Sequence, residues 1–399
     1  MHSRLVLTAG GAIEFQRRYF WTTGQPGTYP ADAAAGIEGG NVSPGAREIL
    51  CRMGLVQDFS QAAEDAIRIG NVVVSKERLR QIVEAEAAQV EQSRNRGVLP
   101  AAWTARDTEV AGSPGRTRVY GGIDGVMAPL VTQVEKDKRR QQQAIRRQQR
   151  SACKIGNAKP LAAARPGSDE RYKEMTIGVF YDQPKAHRHV FATHKDSTGF
   201  GPLLAAHARQ VEFEKADESI TLTDGAKWIF AVICCVLGRV SATLLDFFHL
   251  SQHMHEAAKA CLGETPEALA WVQARLEEFK TIGVRAVLAE IEALDRKVRS
   301  PGKKKSLRLM REYVVNRLEM LDYVTALARK WDIGSGPTEA MCKNLTLRLK
   351  RPGMKWDADH ASAMMNLAHE DSAAFRLYAV GRERDGVGAH FDSPWCSTS

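Results

Sequence analysis

Three carboxylates stand where a folded chain could bring them together. Asp124 ends a strand-like run in GGIDGV, Asp224 ends another in TLTDGA, and Glu339 falls in the first turn of a helix after GSGPT. Strand ends on one edge of a mixed sheet and a helix start can converge. Hard divalent cations take oxygen ligands, and Mg²⁺ is usually held by one or two carboxylates plus substrate phosphate oxygens. A metal pair held this way can activate water or a 3′-hydroxyl and stabilise the leaving oxygen of a phosphodiester. Each acid also has a plain structural account. Asp-Gly is a common turn, and Glu in a first helical turn answers the helix dipole. The combination of positions, more than any single acid, points to chemistry.

Other constellations are weaker. His249, His253 and Glu256 lie at i, i+4 and i+7 and share a helical face, but HLSQH lacks the Glu of HExxH. A helix-surface or core-edge role is expected for them in place of a zinc site. Because His249 follows Asp246 in DFFH, these two are candidates for a supporting role beside the metal site. Gly334 and Gly336 do not form a P-loop, since no GxxxxGK[ST] occurs. The seven cysteines are odd in number, irregularly spaced and without a CxxC, which argues against a disulfide framework or a four-cysteine zinc site and fits a reducing cytosol.

The 399 residues carry 56 Lys and Arg against 47 Asp and Glu, a net charge of +9, with ordinary globular usage otherwise. The excess is local. Between Lys136 and Lys154 lie Lys136, Lys138, Arg139, Arg140, Arg146, Arg147, Arg150 and Lys154 against one acid, Asp137. Arg296 to Arg311 holds eight bases and no acid, including Lys303, Lys304 and Lys305. Arg348, Lys350, Arg351 and Lys355 surround Trp356. Most charge runs are solvated faces, but runs this one-sided suit a phosphate backbone. Trp356 among its bases is the better candidate to stack on DNA bases, while Trp228 in its apolar run reads as core. That run, Trp228 to Gly238, is 11 residues long, short of the roughly 20 that cross a bilayer. The N-terminus lacks the apolar core of a secretory signal.

Strands and helices must carry these side chains. Residues 1–43 are Gly-, Ala-, Thr- and Pro-rich, with a strand feeding turns from Phe15. Ser43-Pro44 starts helical patterning. Two helices come next, over DFSQAAEDAIRIG and after Ser75, and their pairing resembles a helix-turn-helix with Lys76, Arg78 and Arg80 leading the second. Strands are expected at RVYGGID, KEMTIGVFY, HRHVFATH, ESITLTDG and ATLLDFFH, with KEMTIGVFY and HRHVFATH forming a hairpin and Met175, Ile177, Val179 and Tyr181 on one face. AKWIFAVICCVLG reads as a buried helix, about Pro202–Phe213 as another, and Leu250 to Trp331 as almost wholly helical, with LRLMREYVVNRLEMLDYVTALARKW its longest stretch. The tail after Gly381 reads as loose.

The blocks YGGIDGVMAP, TLTDGAKWI, LLDFFHLSQHM and GSGPTEAMCKNLTLRLKRPGMKW, with SPGAREILCRMGLVQDFSQAAEDAI upstream, resemble the DDE transposases of bacterial insertion sequences, most closely the Kra-type group. The resemblance spans about residues 13–370, and its last block is the most specific. It implies an α/β fold: a ribonuclease-H-like mixed sheet flanked by helices, with an all-α insertion and a helical N-terminal region. The expected domains are a zinc-ribbon-like remnant at 1–43, a helical and possible DNA-binding region at 44–110, and the first part of the catalytic core at 117–250. An all-helical insertion at 251–332, the last part of the core at 333–380 and the tail at 381–399 complete them. Asp124, Asp224 and Glu339 are the implied metal-binding triad, for two Mg²⁺ or Mn²⁺ ions. The implied activity is cleavage at transposon ends and strand transfer into target DNA, by a homo-oligomer on the bacterial nucleoid in the cytoplasm, away from any membrane. One departure stands out: FWTTGQPGTYP has Thr22, Thr23 and Gln25 where the family carries a Cys pair. A shortened N-terminal segment and impaired binding of the terminal repeats are expected from that. The alternatives are a catalytically idle, transposon-derived DNA-binding protein and a ribonuclease-H-like nuclease.

Overall fold

The computed structural model describes residues 1–37, 40–153 and 172–369. Lys154 and the tail expected after Gly381 lie outside the described residues. The chain divides into two compact units: Met1–Arg94 with Leu130–Gly167 and Leu347–Ser399, and Asn95–Pro129 with Ser168–Thr346.

The first unit opens with an antiparallel hairpin, β1 (His2–Thr8) and β2 (Gly11–Arg17), which starts well before the strand expected from Phe15. Four helices come after it: α1 (Pro30–Ala34), α2 (Pro44–Val56), α3 (Phe59–Gly70) and α4 (Lys76–Asn95). Buried Asp32 of α1 pairs with Arg4 of β1 and Arg17 of β2, so a carboxylate between two guanidinia ties this region together. Ser43 caps α2 through the Ala46 amide at 3.3 Å, with Pro44 in the first turn as expected.

The second unit contributes the main sheet. Its strands are β3 (Arg118–Ala128), then, beyond the first unit's β4 (Leu130–Val131) and α5 (Gln133–Cys153), β5 (Lys173–Asp182) and β6 (Arg188–Thr193). After α6 (Ser197–Gln210) come β7 (Glu218–Thr223), α7 (Lys227–Val236) and β8 (Ala242–Leu245). The order is β6-β5-β3-β7-β8, antiparallel among the first three and parallel from β3 to β8. β3 runs on past Asp124 because Gly125 to Ala128 keep pairing with Thr176 to Lys173 of β5. β5 and β7 are buried on both faces, so the alternation read in KEMTIGVFY does not separate core from solvent. One face packs Val119, Ile123 and Phe180 against Phe200 and Leu204 of α6 and Ile229 and Ile233 of α7. α7 is less buried than expected, since Ala231, Cys234 and Cys235 face outward.

Helices α8 (Phe247–Leu262), α9 (Pro266–Thr281), α10 (Val284–Lys297), α11 (Pro301–Val315) and α12 (Tyr323–Ala328) build a second core around Met254, Val272, Phe279, Ile291, Leu307 and Val314. The long helix expected over LRLM…RKW is broken after Val315; the break places Arg317 on the turn after β7 and buries Met320 and Leu321. α13 (Gly336–Leu347) ends this unit, while β9 (Trp356–Asp357) and α14 (Ala358–His369) belong to the first.

The start of the sheet is locked by a buried ion pair. Arg118 donates through Nε to Glu218 at 2.7 Å and through its other nitrogens to the carbonyls of Lys330 and Arg329 at 2.9 and 3.1 Å. It thereby satisfies carbonyls at the end of α12. Replacing Glu218 by Ala strands the guanidinium, and a loss of about 3–5 kcal/mol is expected from denaturant unfolding. A loss under about 1 kcal/mol would show that the pair is dispensable.

Candidate active site

The last paired residues of the parallel strands β3 and β7 are Ile123 and Thr223, so Asp124 and Asp224 come next at the same level of adjacent strands. Asp224 Oδ1 accepts from the Ala226 amide at 2.8 Å, which shapes the turn out of β7. Gly225 has φ +80, and a Cβ there would lie 2.4 Å from Arg317 Nε and 2.6 Å from Leu245 Cδ1. The Asp-Gly pair is therefore required by the turn as well as available for chemistry. Asp124 Oδ1 accepts from the Gly125 amide at 2.7 Å. Burial raises the Asp124 carboxyl above its ordinary range; the Gly125 amide and His249 oppose this, and the charge of Asp224 adds to it. The Cys342 thiol of α13 also bonds Asp124. Groups from the turn after β7, from α8 and from α13 thus act on one carboxylate of β3.

Glu339 is delivered by a chain of contacts through Asp246. This fully buried aspartate comes directly after β8, and its Oδ1 accepts from the Phe248 amide at 2.6 Å, capping α8. Its Oδ2 accepts from the Ser335 amide at 2.8 Å and from the Ser335 hydroxyl. The segment before α13 is pinned twice more: the Phe247 amide bonds the Ile333 carbonyl at 3.0 Å, and the Asp332 amide bonds the Tyr120 hydroxyl at 3.0 Å. α13 then packs hard onto β3, for a Cβ on Gly122 would lie 1.8 Å from Thr338 Oγ1. Glu339, the next residue, is exposed.

Among the described residues, the carboxylate or imidazole atoms that come within 4.8 Å of one another as a group of three are those of Asp246, His249 and Glu339. Asp124, Asp224 and Glu339 do not form such a group, although His249 acts on Asp124 as well. His249 thus links two sets, the Asp246 and Glu339 pair by distance and Asp124 by charge, and carboxylates are the donors a hard divalent cation takes. Asp246 is the least available, because both its oxygens already accept hydrogen bonds. His253 turns away: its ring centroid lies 4.0 Å from that of Tyr313 and its Nδ1 is 3.8 Å from Glu256.

Arg317, Ser335, Thr338 and Tyr313 shape the site without being among the candidate site residues of the sequence; Ser335 and Thr338 lie in the GSGPT block, whereas Arg317 and Tyr313 lie in a stretch that reads only as helix. Arg317 donates to the Gly225 carbonyl at 2.9 Å, fixing the turn that carries Asp224. Burial pushes the Tyr313 hydroxyl up to about 12, against the Arg317 charge and with added repulsion from Asp224 and Asp246. Gly121-Gly122 ahead of Asp124 signals the close approach of α13; nothing in the sequence marks Tyr313.

The basic segments divide. In α5, Arg139, Arg140 and Arg147 are exposed and Arg146 is half-buried. With Lys136, which pairs with Asp357, their spacing puts them on one helical face. Lys303, Lys304 and Lys305 are exposed at the start of α11, and Lys304 and Lys305 border a groove of about 590 Å³ against α10. Lys350 and Lys355 are exposed. Arg348 and Trp356 are each only 5% exposed, contrary to the expected DNA contact. Arg348 donates to the Gly54 carbonyl at 2.9 Å and lies 4.8 and 4.9 Å from the ring centroids of Phe59 and Trp356. Arg351 bonds the Val56 carbonyl. These two arginines cap the C-terminus of α2, where cations are favoured. Burial pushes the Arg348 guanidinium down to about 10. In the helix pair, Arg80 is held by Glu77 at 2.6 Å and by Glu84, whereas Lys76 and Arg78 are exposed.

Comparison with known protein families and with curated proteins finds no match to this chain.

Gly122→Ala is expected to cost about 1–3 kcal/mol by overpacking, and Thr338→Ala in the same chain should restore part of it; a double-mutant cycle on the thermal midpoint measures the coupling. No coupling would mean that α13 does not rest on Gly122. Arg348→Ala should destabilise the protein by about 2 kcal/mol or more through the lost cap and exposed ring faces, whereas Lys350→Ala should leave the midpoint unchanged.

Proposed function

We propose that this chain is a DDE transposase of bacterial insertion sequences, of the Kra-type group, built on a ribonuclease-H-like core with a helical insertion. The observation that carries the reading is the side-by-side placement of Asp124 and Asp224 at the ends of the paired stretches of adjacent parallel strands, with Glu339 grouped with His249, whose charge acts on Asp124. The mixed order β6-β5-β3-β7-β8 and the run of helices from α8 to α12 fit such a core and insertion.

In this reading Asp124, Asp224 and Glu339 hold a pair of Mg²⁺ or Mn²⁺ ions. When bound, such a pair supplies an activated oxygen nucleophile and stabilises the leaving oxygen. Asp246 and His249 support the site: the first fixes the loop that carries Glu339, and the charge of the second acts on Asp124. Arg139, Arg140, Arg146 and Arg147 of α5, Lys303 to Lys305 of α11, and Lys350 and Lys355 hold phosphates of terminal-repeat and target DNA. The protein acts as a homo-oligomer in the bacterial cytoplasm, on the nucleoid. No helix among the described residues is long and apolar enough to cross a membrane.

Asp124→Asn tests the triad. With duplexes taken from the DNA that flanks the reading frame, it is expected to lower cleavage and joining by on the order of 100-fold or more. Survival of full activity would remove Asp124 from the mechanism. A second readout needs no turnover. The raised Asp124 carboxyl is less stable ionised in the fold than in the unfolded chain, so above its folded pKa it destabilises the metal-free protein. Asp124→Asn should therefore raise the metal-free melting temperature at neutral pH and abolish the further rise that Mg²⁺ gives the wild type. Divalent-dependent cutting without joining would favour the nuclease, and DNA binding without either the idle protein.

A further inference from the structure

Just beyond α11 the chain meets the turn that carries Asp224. Arg317 bonds the Gly225 carbonyl at 2.9 Å and the Tyr313 carbonyl at 3.1 Å, and its guanidinium lies 3.9 Å from the centre of the Tyr313 ring. The His253 ring of α8 also packs on Tyr313, at 4.0 Å between centroids. The ring is thus fixed by two neighbours, one of them anchored to the Asp224 turn. Its hydroxyl is buried and has no hydrogen-bond partner among the described residues. Buried polar groups are rarely left so. The acids whose charge acts on that hydroxyl are Asp224 and Asp246. Neither meets it: the oxygens of Asp246 accept from Phe248 and Ser335, and Asp224 Oδ1 accepts from Ala226.

Other buried hydroxyls also lack a partner, but their settings differ. Tyr181 stacks on Tyr120 inside the sheet, and Thr338 is wedged against Gly122. Tyr313 instead forms part of the wall of a surface groove of about 340 Å³ with His253, Glu256 and Leu309. Of the three, it alone combines an acid cluster acting on its hydroxyl with an open groove beside its ring.

We propose that Tyr313, supplied by the helical insertion, is a substrate-contacting donor of this site, its hydroxyl bonding a non-bridging oxygen of the DNA phosphodiester held at the acids. The inference rests on the reading of the site as a phosphoryl-transfer centre. A phosphate oxygen is the acceptor that such a cluster, once charged with cations, would bring to a donor it lacks in their absence. The hydroxyl keeps its proton throughout; no bond to it forms or breaks. The insertion then has a role at the reacting phosphate as well as in binding DNA.

Tyr313→Phe removes the hydroxyl and keeps the ring on Arg317 and His253. With Ca²⁺ as the divalent ion and a duplex of the flanking DNA, binding by fluorescence anisotropy is expected to weaken about 3- to 10-fold, with the melting temperature unchanged. With Mg²⁺, wild type should be slowed by a phosphorothioate of one configuration at the scissile position, and Tyr313→Phe should lose most of that discrimination. A merely structural tyrosine would leave the phosphorothioate effect intact. Unchanged binding and an unchanged phosphorothioate effect in Tyr313→Phe, with the wild type active, would overturn this inference and leave the site reading standing. A wild type with neither divalent-dependent binding nor cutting, and no melting shift with Mg²⁺, would overturn both.

Discussion

The site depends on one buried carboxylate. Asp246 sits just past β8 with no exposure, and a carboxylate there is stable only if its oxygens are satisfied. One oxygen takes an amide of the first turn of α8 and the other takes the amide and hydroxyl of Ser335, a residue 89 positions further along the chain. Between these two ends of one bracket lie all the helices from α8 to α12. A long helical excursion can leave the sheet and return without losing register because its exit and its re-entry are fastened to the same side chain. The loss of conformational freedom in closing so long a loop grows only slowly with length, so a few well-placed hydrogen bonds suffice to hold the return.

Beyond Ser335, close packing sets the course of the chain. The bonds from Tyr120 and Phe247 fix the direction of the segment, and Gly122 lets Thr338 press onto β3. Glu339 is the next residue, and Cys342, one turn later, reaches Asp124. On the other side, Arg317 reaches from the end of α11 to the turn that carries Asp224. Asp124, Asp224 and Asp246 are therefore each held by backbone amides, and Glu339 by the placement of the helix that carries it. Burial of Asp124, with the charge of Asp224 adding to it, makes its ionised form costly in the fold, a cost commonly found where a site is organised for a charged ligand.

The parts of this arrangement legible in the sequence are those with a local signature. Asp224 is visible because an Asp-Gly at the end of a β-run is both a turn and a strand edge, whereas the same dipeptide at Asp124 lies inside β3 and only its pairing with β7 ends there; Ser43-Pro44 marks a helix start by capping alone. Asp246 is visible as a neighbour of His249 but not as a bracket, because its partner is remote in sequence. The basic block around Arg348 misleads for a related reason. A guanidinium that caps a helix and one that binds phosphate meet the same kind of oxygen, and only the tertiary fold shows that Arg348 and Arg351 face the last carbonyls of α2. The helix after Pro301 reads as too long because nothing local announces that Arg317 must turn toward Gly225.

The division of the basic residues sharpens the electrostatic picture. Bases that read alike in composition separate into those used inside the fold, such as Arg118 and Arg348, and those left on the surface, such as the arginines of α5, the lysines of α11, Lys350 and Lys355. Only the second group can contribute the salt-dependent part of binding to a polyanion. Whether the acids act together on a metal can be read without turnover, from anomalous scattering by crystals of the protein soaked in Mn²⁺. The expected result is a metal peak contacted by both Asp124 and Asp224, with Glu339 as a further ligand. A peak at Asp246 and His249 alone, or no peak at saturating Mn²⁺, would contradict it.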